Sequence, residues 1–147
     1  MERNKIDESL FLAVKDRVGY TDEQLKIFKS HAFPHKILQT KVIERLLLTT
    51  VVFEVVESRN CNIQHKVGDR FYFNAEGYMI TGKCPDKICP FIMPYFSRMM
   101  WLIMDRIYEG LDPLPTFPFG HCEDVGVECG GMGRIRVQIK IVSDPIR

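Results

Sequence analysis

Apolar residues recur at Ile6, Leu10, Val14 and Val18 with charged residues between them, and Gly19 follows. That spacing predicts an amphipathic first helix stopped by glycine. Thr21-Asp-Glu-Gln24 has the form of a capping box and predicts a second helix over Asp22–Ser30. Pro34 suits a first helical turn, where its missing N–H has no partner to lose, and Leu38, Val42, Leu46 and Leu47 make the stripe of a third helix. From Thr49 the pattern changes. Residues 51–57 are β-branched and aromatic, the composition of a buried strand, and end in a polar Glu57-Ser-Arg-Asn60 turn. Residues 71–73 and 78–80 flank Asn74-Ala-Glu-Gly77 in the layout of a hairpin. Residues 88–108 carry large apolar side chains with few β-branched ones, which predicts a buried helix starting or kinking at Pro94. Gly110 and the series Pro113, Pro115, Pro118 end it in a rigid loop. Last, Ile135, Val137, Ile139 and Ile141 alternate with Arg134, Arg136, Gln138 and Lys140, the mark of a strand with one buried and one wet face.

The fold class is therefore α+β: a helical N-terminal arm over residues 1–48, then a domain over residues 49–147 with a small, mainly antiparallel sheet packed against one long apolar helix, the whole expected to form one compact unit. At 147 residues and 46% hydrophobic content, the chain can build a core without disulfides. Lys plus Arg number 20 against 19 acidic residues, with no polybasic run, which argues against a nucleic-acid surface. The most apolar stretches are far shorter than the roughly 18–20 residues that span a bilayer. Residues 1–10 are charged and lack the layout of a signal peptide, so a cytoplasmic location is expected. A helix apolar all round must bury part of its surface elsewhere, which makes a homodimer, or a place as subunit of a larger enzyme, a reasonable expectation.

The chemistry-bearing residues gather in one region. All five cysteines, Cys61, Cys84, Cys89, Cys122 and Cys129, fall between Asn60 and Gly130, beside His65 and His121. In a reducing compartment such a grouping points to ligands, nucleophiles or core packing before disulfides. Cys61-Asn-Ile-Gln-His65 can present a thiolate and an imidazole to one ion, and Cys84-Pro-Asp-Lys-Ile-Cys89 can fold back on itself. Cys129 adjoins Gly130, Gly131 and Gly133, where backbone can approach closely. None of these spacings is the Cys-x2-Cys knuckle of a zinc ribbon or ferredoxin. Packed thiols are the plain alternative. A thiolate nucleophile is a third, with Cys89 best placed if Pro90 opens the long helix. Gly68-Asp69 reads first as a turn whose carboxylate caps backbone N–H groups and second as a carboxylate orienting His65. His31 and His35 read as capping or surface residues, and His121 ranks below His65 as a ligand.

The run Val55-Val-Glu-Ser-Arg-Asn-Cys-Asn-Ile-Gln-His-Lys-Val-Gly-Asp69, followed by Ile88-Cys-Pro, Pro94-Tyr95 and a Cys129 ahead of the last strand, resembles a small uncharacterised prokaryotic family, found largely in anaerobes, with a Cys-x3-His-Lys-x-Gly-Asp signature. The resemblance covers residues 50–142. It implies a grouping of Cys61, His65, Cys89 and Cys129, with Cys84 and Cys122 less secure, and carries no assigned activity. Together these readings suggest a metal-binding accessory or subunit protein of an anaerobic enzyme system, holding Zn or an iron–sulfur cluster. The alternatives are a small cysteine-dependent enzyme with His65 as proton carrier and an assembly subunit without chemistry. A shared site further requires the first and last strands to lie close in the sheet, so that their flanking loops converge at one end.

Overall fold

A computed structural model describes residues 8–143. The chain divides into two compact units between Arg45 and Leu46.

The first unit is helical: α1 (Glu8–Val18), α2 (Asp22–Ser30), α3 (Ala32–Ile37) and the start of α4 (Thr40–Leu48). The capping box forms as expected, with Gln24 N–H donating to the Thr21 hydroxyl at 3.2 Å and Thr21 N–H donating to the Gln24 side chain at 2.9 Å. The buried residue of α1 is Phe11, which sits edge-on to Phe28 beside Leu25 and Leu38. The stripe anticipated through Leu10, Val14 and Val18 is thus rotated: Leu10 and Val14 flank the core and Val18 is exposed, because the large Phe11 ring takes the central place. Ile6 lies outside the described residues. The single third helix is two. Leu38 leaves helical geometry at φ −87°, ψ 59° and packs with Phe11 and Leu25. His35 Nε2 lies 2.7 Å from the Lys29 carbonyl, a local tie in keeping with a capping role.

The second unit holds a five-stranded antiparallel sheet in the order β3-β2-β1-β5-β4, from β1 (Thr50–Arg59), β2 (Arg70–Asn74), β3 (Tyr78–Met79), β4 (Phe119–His121) and β5 (Arg134–Val142). The hairpin between β2 and β3 closes on Asn74, whose side-chain oxygen accepts from Glu76 N–H, and on Gly77 at φ 111°. The first and last strands are direct neighbours. Val51, Phe53 and Val55 stand opposite Ile141, Ile139 and Val137, which builds one apolar face from two strands far apart in sequence. β1 does not stop at Glu57: a bulge at Val56 resets its alternation and pairing continues from Glu57 with Arg136 to Arg59 with Arg134. β4, within the proline-rich stretch read as irregular, adds a short edge strand.

One helix, α5 (Met93–Tyr108), covers the apolar face. It begins later than residue 88, with Pro94 in its first turn where proline is tolerated. It is amphipathic. Tyr95, Phe96, Met100, Ile103 and Ile107 are buried, and Phe96 lies 4.4, 5.0 and 5.5 Å from the rings of Phe53, Phe71 and Phe73. The other side exposes Trp101 and Leu102, so the helix is not buried all round. Among the described residues no helix is long and apolar enough to cross a membrane.

On the other face of the sheet Glu54 joins three strands: Lys140 donates to it at 2.9 Å and Arg70 at 2.6 Å. These partners, Lys140 first, hold the Glu54 carboxyl below the usual glutamate range. A lowered folded-state value gives stability that is present above the ordinary range of about pH 4.3 and is lost as pH falls through the folded value. Glu54→Gln should therefore lose about 0.5–1 kcal/mol at pH 7 and narrow its gap to wild type as pH drops towards 3, measured by urea denaturation. At Gly133 a Cβ would sit 2.0 Å from the Arg59 carbonyl oxygen. Gly133→Ala should cost more than about 2 kcal/mol, whereas Gly130→Ala, left-handed but with open space around it, should cost about 1–2 kcal/mol in the same assay.

Candidate functional site

The bulge in β1 sets the site. Because Val56 is the extra residue, Glu57 turns outward to Arg136 at 3.1 Å and Ser58 faces the core side opposite Ile135. The Ser58 hydroxyl donates to the His65 carbonyl at 2.6 Å. The loop after β1 turns at Asn60 and Gln64, both at positive φ, and Gln64 N–H donates to the Cys61 carbonyl at 2.9 Å. It then folds back on the strand: Gly68 N–H donates to the Val55 carbonyl and Val55 N–H to the Asp69 carbonyl. The capping reading of Asp69 is realised. Its carboxylate accepts from Lys66 N–H at 2.9 Å and lies 3.5 Å from His65 Nδ1.

His65 is only 4% exposed, with its ring edge-on to Phe71. Its Nε2 is fully buried and has no hydrogen-bond partner among the described residues. A buried polar atom left unpaired costs about 1–3 kcal/mol, so this nitrogen calls for a partner. The nearby Asp69 carboxylate favours a proton on Nδ1, which leaves the Nε2 lone pair free.

His65 stands in the wall of a cavity of about 490 Å³, which Cys61, Cys89 and Cys122 also line. Three chain segments build it. The loop after β1 brings Cys61 and His65; the turn ahead of α5 brings Cys89 and Phe91; the β4–β5 connection brings Cys122, Asp124 and Gly130–Gly133. The Phe91 carbonyl accepts from Glu123 N–H at 3.0 Å, which ties the second segment to the third. The glycines do allow close approach, but of protein backbone: Gly133 lies against Arg59 and Asn60.

The cysteines part company. Cys61, Cys89 and Cys122 share the cavity. Cys122 also accepts from Ile135 N–H at 3.4 Å, continuing the β4–β5 pairing. Cys129 ends a short 3-10 turn, is exposed and lies outside the cavity wall, although Gly130 and Gly131 beside it are part of that wall. Cys84 is packed in the hairpin, where it accepts from Tyr72 N–H at 3.3 Å and burial pushes its thiol up. Cys84 and Cys89 thus have different surroundings, the first against Tyr72 and Ile80 and the second in the cavity wall. Cys89 lies four residues ahead of α5 instead of in its first turn. The cavity also takes in Asp124, whose one mark in the sequence is an Asp-x-Gly turn, in which its carboxylate accepts from Gly126 N–H at 2.8 Å. Among the described residues no three His, Cys, Asp or Glu side chains are grouped so as to hold a metal ion.

Comparison with protein-family models, with curated proteins and with solved structures found no match.

Ser58→Ala should loosen the His65 loop without touching the cavity thiols. The expected outcome is a stability loss of about 1 kcal/mol with faster amide exchange at residues 61–68, read by hydrogen exchange.

Proposed function

We propose that the cavity belongs to a small cysteine-dependent enzyme in which Cys61 or Cys89 attacks an electrophilic carbon and His65 moves the proton. The observation that carries this reading is that His65, whose Nε2 is buried without a hydrogen-bond partner among the described residues, lines one cavity together with both thiols. A thiol becomes a strong nucleophile only on losing its proton, and an imidazole with a carboxylate 3.5 Å from its Nδ1 supplies the base. In the step, the S–H proton passes to Nε2 and the sulfur pair forms a bond to a carbonyl carbon. The carbonyl π pair moves to oxygen, which takes the proton back from Nε2. Thiol and carbonyl thus give a hemithioacetal, and no oxidant or reductant is required.

A second reading is favoured by the same nitrogen. A carboxylate behind Nδ1 with Nε2 free is the arrangement of a metal-ligating histidine, and thiolate with imidazole suits Zn or an iron centre in an accessory subunit of an anaerobic enzyme system. The grouping of donors falls short of a closed four-ligand centre, so this reading ranks second.

Site-resolved alkylation of native, metal-free protein near neutral pH separates the two. One of Cys61 and Cys89 should label about tenfold or more faster than exposed Cys129, and His65→Gln should remove that advantage and its pH dependence. Uniformly slow labelling of all five cysteines would sink the enzyme reading. About one equivalent of Zn or Fe per chain, after purification without oxygen or chelator, would favour the second.

A further inference from the structure

The wall of the cavity says what kind of molecule it accepts. Beside the thiols and His65 it is lined mainly by apolar side chains, Ile63, Phe91, Ile92, Met132 and Ile135 with Pro90, by the backbone of the glycine loop, and at its exposed margin by the neutral amide of Asn62. Among the described residues no Lys or Arg lines it. Its one carboxylate is Asp124, whose oxygens already accept from Gly126 N–H at 2.8 Å and Met132 N–H at 3.4 Å. A volume of about 490 Å³ lies in the range of cavities that bury small organic molecules. An anion entering it would give up water for apolar surface and a fixed negative charge, with no cation to offset the loss. A neutral hydrocarbon body would gain by the same transfer.

We infer that the cavity takes an uncharged, largely hydrocarbon carbonyl compound and rejects carboxylates and phosphates. The inference rests on the reading of this cavity as the thiol site, which supplies the carbonyl as the reacting group. Ile63, Phe91 and Met132 hold the hydrocarbon part, and the imidazole of His65 meets the polar end.

The matched probes are hexan-2-one and pentanoate, which share shape and differ in charge. Binding is followed by calorimetry and by methyl NMR shifts of Ile63 and Ile135 in the wild-type chain. The ketone should bind at least about tenfold tighter than pentanoate, and Ile63→Trp, which fills the cavity, should abolish its binding. Equal or tighter binding of pentanoate, or no binding of the ketone at millimolar concentration, overturns the inference. If Ile63→Trp fails to fold, protection of Cys61 and Cys89 from iodoacetamide serves instead: the ketone should protect them and pentanoate should not, and equal protection overturns the inference. The same titration in the Cys61→Ala, Cys89→Ala protein keeps the two ideas apart. Ketone selectivity that persists there, beside slow labelling of every thiol in wild type, refutes the enzyme and leaves the selectivity standing. Loss of selectivity beside a fast, His65-dependent thiol does the reverse.

Discussion

One extra residue in the central strand governs the second unit. The bulge at Val56 changes which side chains of β1 meet the core, sending Glu57 out to Arg136 and Ser58 in towards the loop that follows. A two-residue alternation carried straight through would have set Glu57 on the apolar face and left the His65 carbonyl without the Ser58 hydroxyl. The backbone of Val55 then binds the returning loop through both its N–H and its C=O. His65 is fixed by the strand, not by the cavity, and that is why an imidazole nitrogen can stand buried without a partner. The rest of the fold supports the cost.

Much of this was legible in the sequence where a single periodicity ruled. The alternation in residues 135–141, the capping box at Thr21 and the hairpin around Asn74 each depend on neighbours along the chain, and each formed as the pattern indicated. The misses fall where packing overrides spacing. Phe11 displaced the expected stripe because a ring fills a helical core that smaller side chains cannot, and Leu38 broke a helix to reach the same core. The strand β1 ran past its polar end because β5 offered partners to Ser58 and Arg59, which local composition cannot reveal. β4 was invisible for a similar reason. Its three residues lie between prolines and a cysteine, and only the free edge of β5 makes them a strand.

The site was legible in part. The proximity of Cys61 and His65 to Cys89 follows from the neighbouring of β1 and β5 with α5 laid across them, a topology that the apolar patterns suggested. The cysteines themselves could not be sorted by spacing. Cys84 and Cys89 are close in sequence yet face different surroundings, since the first completes a hairpin and the second opens the approach to α5. Cys122 and Cys129 differ in the same way: one pairs along β5 and enters the cavity, the other ends an exposed turn. Asp124 gives no periodic signal, because its role is to hold a loop through two backbone N–H groups.

The order of the strands has a consequence for how the chain tolerates a crowded cell. Its two long strands are interior, and the margins of the sheet are β3 and β4, of two and three residues. A margin that short offers few open backbone groups for another chain to copy, and Pro118 immediately ahead of β4 has no N–H to offer. Of the segments most able to template a foreign strand, β1 is covered by β5 on one side and by β2 along Thr50–Glu54 on the other, and β5 has β4 beside it at Arg136–Gln138.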